Sequence, residues 1–209
     1  MRYLARFDFQ NLFLEELGWD QPAANTKLDP VTLDEQTYTF TPICQKREFY
    51  LYEGRSADGR IPPSAVRSKL ETWLSKRSRE HMIVFVDDAQ TQQVWQWARR
   101  EPGQPVRRFG HTYHKGQSGE ALLQKLEQLE IAFEEEDDVT LVDVSGRVRA
   151  AFSVERATKK FYDQFKKERN AFEKFVQGIP DVETSKWYVS VMLNRLMFVY
   201  FIQRKGFLD

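Results

Sequence analysis

The sequence predicts an α/β (α+β) fold: a mixed sheet with flanking helices, followed by a helical connector. Three observations carry this. Residues 37–55, TYTFTPICQKREFYLYEGR, alternate apolar and polar side chains in two runs, as a half-buried strand hairpin does. Residues 81–88, HMIVFVDD, are a short continuous apolar run, the pattern of a strand covered on both faces. From about residue 140 onward, apolar positions recur at helical spacing.

Each element has its own signal. In residues 8–17, DFQNLFLEEL, Phe9, Leu12, Phe13 and Leu17 share one helical stripe, with Asp8 as N-cap and Gly18 as the stop. The stretch 19–36 holds Pro22, Pro30 and several Asn, Asp and Thr residues, and reads as a loop with a short strand at Val31–Leu33. In the hairpin, Tyr38 and Phe40 alternate with threonines, Phe49 and Leu51 alternate with Tyr50 and Tyr52, and the turn falls near Lys46–Glu48. Ser64 is expected to cap a helix running to about Arg79, with Val66, Leu70, Trp73 and Leu74 inward. QQVWQWARR and VRRFGHTYHK flank EPGQP and read as a second hairpin with a Pro-Gly turn. Residues 118–131 form an amphipathic helix on Leu122, Leu123, Leu126 and Leu129.

The acidic run EEEDDVT, residues 134–140, then breaks the pattern and reads as a solvated linker or helix lead-in rather than a metal site. It divides the chain into an α/β region, 1–132, and a helical region, 140–209. TLVDVSGRVRAAF reads as one helix weakened by Gly146. The next helix sets Phe161, Phe165, Phe172 and Val176 on one face and Lys159, Lys160, Lys166, Lys167, Arg169 and Lys174 on another, and interleaved acids make this a solvated, paired surface. The last helix begins near Asp181–Thr184. Its run SVMLNRLMFVYFIQRKGFLD is too short and too interrupted to span a membrane. Arg195 in its middle is expected to be buried against a carboxylate or carbonyl.

Composition narrows the function. The 209 residues hold 31 basic and 31 acidic side chains, so the net charge of +0 argues against a strongly basic nucleic-acid module while allowing a local basic face. A single cysteine, Cys44, excludes an intramolecular disulfide framework and a cysteine-based zinc site, and fits a cytoplasmic protein. The opening MRYLARFDFQNLF lacks the uninterrupted apolar core of a secretory signal. No glycine-rich phosphate loop and no G-x-S-x-G elbow occurs. His111 and His114, three apart in a strand, face opposite ways, which is poor metal geometry.

One stretch combines aromatic and basic side chains: VWQWARREPGQPVRRFGHTYHKG. On a hairpin, Trp95 and Trp97 share a face that Arg99 continues, and the basic residues gather near the turn. Arg99, Arg100, Arg107, Arg108, His111 and Lys115 are the DNA-binding candidates, suited to phosphate contacts on double-stranded DNA. The same pattern also reads as a core aromatic face backed by a solvated basic one.

The order helix, strand hairpin, helix, strand resembles the PD-(D/E)xK nuclease core. That resemblance implies a carboxylate on the second strand and an acid-x-Lys pair on the third, holding Mg²⁺ with the lysine orienting a water. Its candidates here are Glu15 or Glu16 from the first helix, Glu53 and Lys46, with Glu16 and Glu53 as the metal ligands. The chemistry departs from the pattern. Strand 37–45 offers Thr39 and Thr41 instead of an aspartate, the third-strand pair is Glu53-Gly54-Arg55, and Lys46 lies on the other strand. The expectation is a nuclease-shaped, degenerate domain, with an active Mg²⁺-dependent endonuclease and a protein-interaction module as alternatives.

The segments TKKFYDQF and LNRLMFVYFIQRKGFL, with looser likeness upstream, resemble the N-terminal part of type IIG restriction-modification proteins and related phage-defence (BREX-like) adenine DNA methyltransferases. The resemblance implies a DNA-engaging or scaffolding region followed by a methyltransferase domain C-terminal to Asp209. The Asn-Pro-Pro-Tyr motif and the cofactor loop of that domain are absent here, so S-adenosylmethionine is expected only in the missing part and no cofactor in this one. The last helix is then expected to pack its apolar face on that domain.

Overall fold

The computed structural model describes residues 2–23 and 26–205, with 154–160 described by their backbone alone. The side chains of Lys159 and Lys160, and residues 206–209 of the terminal run, lie outside the described residues. The chain divides after Ser153 into two compact units.

The first unit is built on a six-stranded mixed sheet in sequential order: β1 (Val31–Leu33), β2 (Gln36–Lys46), β3 (Phe49–Ser56), β4 (His81–Val86), β5 (Gln92–Arg99) and β6 (Arg107–His114). All neighbours are antiparallel except β3 and β4, which are parallel. A parallel pair needs a crossover, and α3 (Ser64–Leu74) supplies it. Pro63, not Ser64, stands at its N-cap, and the helix stops at Leu74, short of the expected Arg79. Pro42 has no N–H to give the ladder, and the β2–β3 register shifts at Pro42/Cys44. The bulge lets both Ile43 and Cys44 enter the same core.

Each face of the sheet is covered, which is why every residue of β4 is buried. Met82, Val84 and Val86 point into one core, Ile83 and Phe85 into the other. The second core is capped by Leu70 and Leu74 of α3. The first lies under the N-terminal turns α1 (Arg2–Ala5) and α2 (Phe9–Asn11), a π-type turn over Leu12–Glu16, α4 (Glu120–Leu126) and α5 (Leu141–Phe152). Asp8 caps α2, as the sequence predicts, by accepting from the Asn11 N–H. Val144, Val148 and Phe152 of α5 belong to this core, so residues 141–152 pack with the sheet rather than with the helices after them.

The acidic segment is the helix lead-in that the sequence allows, with Thr140 capping α5, but it is tied to the hairpin rather than left free in solvent. Lys46 is wholly buried, and its ammonium donates to Gly18 O (2.9 Å), Asp20 Oδ1 (3.2 Å) and Glu136 Oε1 (2.5 Å). Arg47 donates to Glu136 O (2.6 Å) and Val139 O (3.1 Å), and Val139 is buried. These bonds fasten the segment to the end of the β2–β3 hairpin.

The second unit contains α6 (Val154–Glu173) and α7 (Val182–Arg204), which contact one another. Asp181 caps α7 through the Thr184 N–H at 2.7 Å. Arg195 is exposed, so the buried partner expected for it is not required. Among the described residues no helix is long and apolar enough to cross a membrane.

Candidate nucleic-acid interface

The nuclease-type candidates are not gathered into one site. Glu53 on β3 lies opposite Thr41 on one side and Val84 on the other. Its Oε1 accepts from Arg55 Nε at 2.5 Å, and Arg55 also reaches Asp88 Oδ1 at 3.0 Å. The acid-x-Arg pair therefore folds onto itself, since residues two apart in a strand share a face. Lys46 lies opposite Phe49, four residues from Glu53, or about 13 Å along the strand. It is held by Asp20 and Glu136 and cannot orient a water beside Glu53. Glu16 lines a groove with Arg2, Tyr3, Leu123 and Glu127, in which no strand residue takes part. One paired carboxylate facing a threonine does not fit Mg²⁺, which needs several oxygens in octahedral array. Among the described residues no three of His, Cys, Asp and Glu stand together as metal ligands.

The basic candidates follow the second hairpin. β5 is buried along most of its length between the two cores, and β6 is the edge strand. Antiparallel pairing sets Arg107 opposite Arg99, Arg108 opposite Ala98 and His111 opposite Trp95. His111 and His114 point to opposite faces, as their spacing predicts. His111 is half-buried, and burial, with Lys125 nearby, lowers its pKa. Arg107 and Lys115 are exposed.

Three of the arginines already hold carboxylates of the same chain. Arg108 lies on the α3 face and reaches Glu71 Oε2 at 3.0 Å and Thr72 Oγ1 at 2.9 Å. Arg100 contacts the other oxygen of Glu71 and donates to Arg79 O at 3.1 Å. Glu71 is only 1% exposed, so this double pairing is what makes a carboxylate tolerable there. His81, also buried, approaches the same carboxylate at 3.9 Å. Arg99 grips both oxygens of Glu101 at 2.7 and 2.8 Å, and Arg149 of α5 reaches Glu101 at 3.3 Å.

These last residues border a cleft of about 350 Å³ between the end of β5 and α5. Trp97, Ala98, Leu141 and Val142 supply its apolar lining, and Glu80, Arg99, Arg100, Glu101, Ser145 and Arg149 its polar one. Trp97 is buried, stacks on Phe109, and its Nε1–H has no partner among the described residues. Burial raises the Glu80 carboxyl above its ordinary range. Donation from Arg99 lowers that of Glu101, helped by the charges of Arg99, Arg149 and Arg107.

Sequence reasoning did not single out Glu71, Glu101 or Arg149. Glu71 carries no signal, being one acid on a helix with polar neighbours. Glu101 stands beside Arg99 and Arg100 in the sequence, and that proximity was a usable sign of internal pairing. Arg149 reaches the site only because α5 packs back on the sheet. Compared with protein-family models, curated proteins and solved structures, the chain matches none.

Proposed function

We propose that this chain is a DNA-engaging or scaffolding region of a restriction-modification or phage-defence adenine methyltransferase, nuclease-like in layout but non-cleaving. The observation that carries the reading is the β6 edge. It is an eight-residue strand at the end of the sheet order, with exposed Arg107 at its start and exposed Lys115 just beyond its end, while Arg108 is held by Glu71. An open strand edge with basic side chains suits phosphate contacts along a duplex. The β2–β3 hairpin, α3 and the parallel β4 support the nuclease-like layout, and the Glu53–Arg55 pairing supports the absence of cleavage.

The test is anisotropy with a labelled duplex over a range of salt. Salt-dependent binding is expected, and Arg107→Ala or Lys115→Ala should each weaken it and reduce the log–log salt slope by about 1. Binding that ignores salt and both variants would sink the reading. Mg²⁺-dependent nicking abolished by Glu53→Ala would instead favour an active endonuclease.

A second reading, a protein-docking module, is favoured by α7. Trp187, Leu196, Phe198, Tyr200 and Phe201 are each more than half exposed on it. Apolar surface on this scale suits a protein partner. The methyltransferase domain implied by the resemblance is the partner this reading assigns.

A further inference from the structure

We propose that Arg99 and Arg149 form a phosphate-binding site and that Glu101 fills it from within the chain until a ligand arrives. The inference goes beyond DNA engagement at the β6 edge and does not depend on it.

The geometry is that of an anion held between two guanidinium groups. Arg99 donates to both carboxylate oxygens of Glu101, and Arg149 approaches from α5 at 3.3 Å. Guanidinium N–H groups form charge-assisted hydrogen bonds to carboxylate and phosphate oxygens alike, and here one nitrogen of Arg99, Nη2, serves both oxygens of Glu101, so the glutamate is a chemical stand-in for a phosphate. Glu101 belongs to the loop between β5 and β6, and its side chain is 36% exposed. The loop carries the helix-breaking pair Pro102-Gly103, with Gly103 at φ +72° and open space around it. The carboxylate can therefore leave the arginines without disturbing the buried sheet.

The adjoining cleft has room and chemistry for the rest of such a ligand. Trp97 borders it, and its indole N–H, buried from solvent, has no partner among the described residues. Leu141 and Val142 give an apolar wall. Gly146 borders the cleft in mid-helix, where a Cβ would meet nothing, so packing within the chain does not explain the residue, while its bareness widens the cleft. Glu80 borders the same space, and burial raises its carboxyl. The ligand class is a phosphate ester with a flat or apolar remainder, either a free nucleotide or a phosphate of a DNA strand.

The test uses the full chain with two probes, dAMP by titration calorimetry and a labelled DNA duplex by anisotropy. Glu101→Gln keeps the shape and removes the competing charge, and should tighten binding of at least one probe about tenfold, one charge-assisted hydrogen bond's worth. Adding Arg149→Ala should abolish that gain. Melting temperatures read alongside confirm folding, since both side chains stand at the surface. A response with dAMP alone assigns a small nucleotide, and a response with the duplex assigns a strand phosphate. The site is overturned if neither probe responds to Glu101→Gln, or if the gain survives Arg149→Ala. Duplex binding that depends on Arg107 and Lys115, with neither probe responding to Glu101→Gln, would overturn this inference and leave the β6 reading intact.

Discussion

His81 opens β4 with its ring buried beneath the Glu71 carboxylate. Its Nδ1–H donates to Ser78 O at 2.7 Å, which leaves Nε2 as a bare acceptor with no hydrogen-bond partner among the described residues. Burial pushes the imidazole from 6.5 down to about 4. The unfolded ring takes a proton near its ordinary pKa, while the folded ring resists until far lower pH. Between those values the unfolded state binds more protons, so stability is full above about pH 6.5 and is lost as pH falls toward 4. The expected loss from this residue between pH 7 and pH 4.5 is about 2–3 kcal/mol. Denaturant unfolding at the two pH values measures it. Carboxylates that titrate in the same window are common to wild type and His81→Asn, so the variant should show a smaller loss by that amount. Equal losses would mean that the ring is not held neutral.

Among the elements, the acidic segment keeps one of its two expected roles, the lead-in to α5, but is anchored by the buried Lys46 and by Arg47. Alone, EEEDDVT is highly charged, and solvation is its natural state. In the structure it meets a lysine with no exposure to water, an ammonium that needs oxygen ligands and finds three of them. Because Asp20 and Glu136 keep partial access to solvent, losing the lysine does not strand a fully buried charge. Lys46→Met, which keeps most of the volume, should therefore cost about 1–3 kcal/mol rather than unfold the unit. Thermal melts give the cost, and limited proteolysis should show faster cleavage within 133–140. An unchanged cleavage pattern would mean that Arg47 and Arg147 hold the segment without Lys46.

At the scale of the whole molecule, α7 carries most of the exposed large apolar side chains among the described residues. Of its large apolar side chains Val189 is buried, while Trp187, Phe198 and Phe201 are more than half exposed. Its apolar residues surround the axis instead of keeping to one stripe, the pattern of a helix meant for burial on several sides. The combined variant Trp187→Ser, Phe198→Ser, Phe201→Ser should lower binding of a hydrophobic dye and reduce self-association in sedimentation. The melting of the first unit should not change, since its cores contain none of these residues. A lowered melting temperature for that unit would show that α7 stabilises it.

Local patterns, whether of period two, of helical spacing or of caps and turns, act between residues a few positions apart. By themselves they determined the two hairpins, the buried strand at 81–86, the Asp8 cap, the start of the last helix near Asp181, and the opposed faces of His111 and His114. They also marked Glu53-Gly54-Arg55 as a poor metal pair. Only the tertiary structure decided where charges end. Glu71 meets Arg100 and Arg108, Lys46 meets Glu136, and Arg149 meets Glu101 across separations of about 30 to 90 residues, where no periodic signal reaches. Two of the basic candidates, Arg100 and Arg108, were thereby turned onto the chain's own Glu71. Burial drives that choice, because a charge removed from water must take its partner from whichever element packing brings beside it.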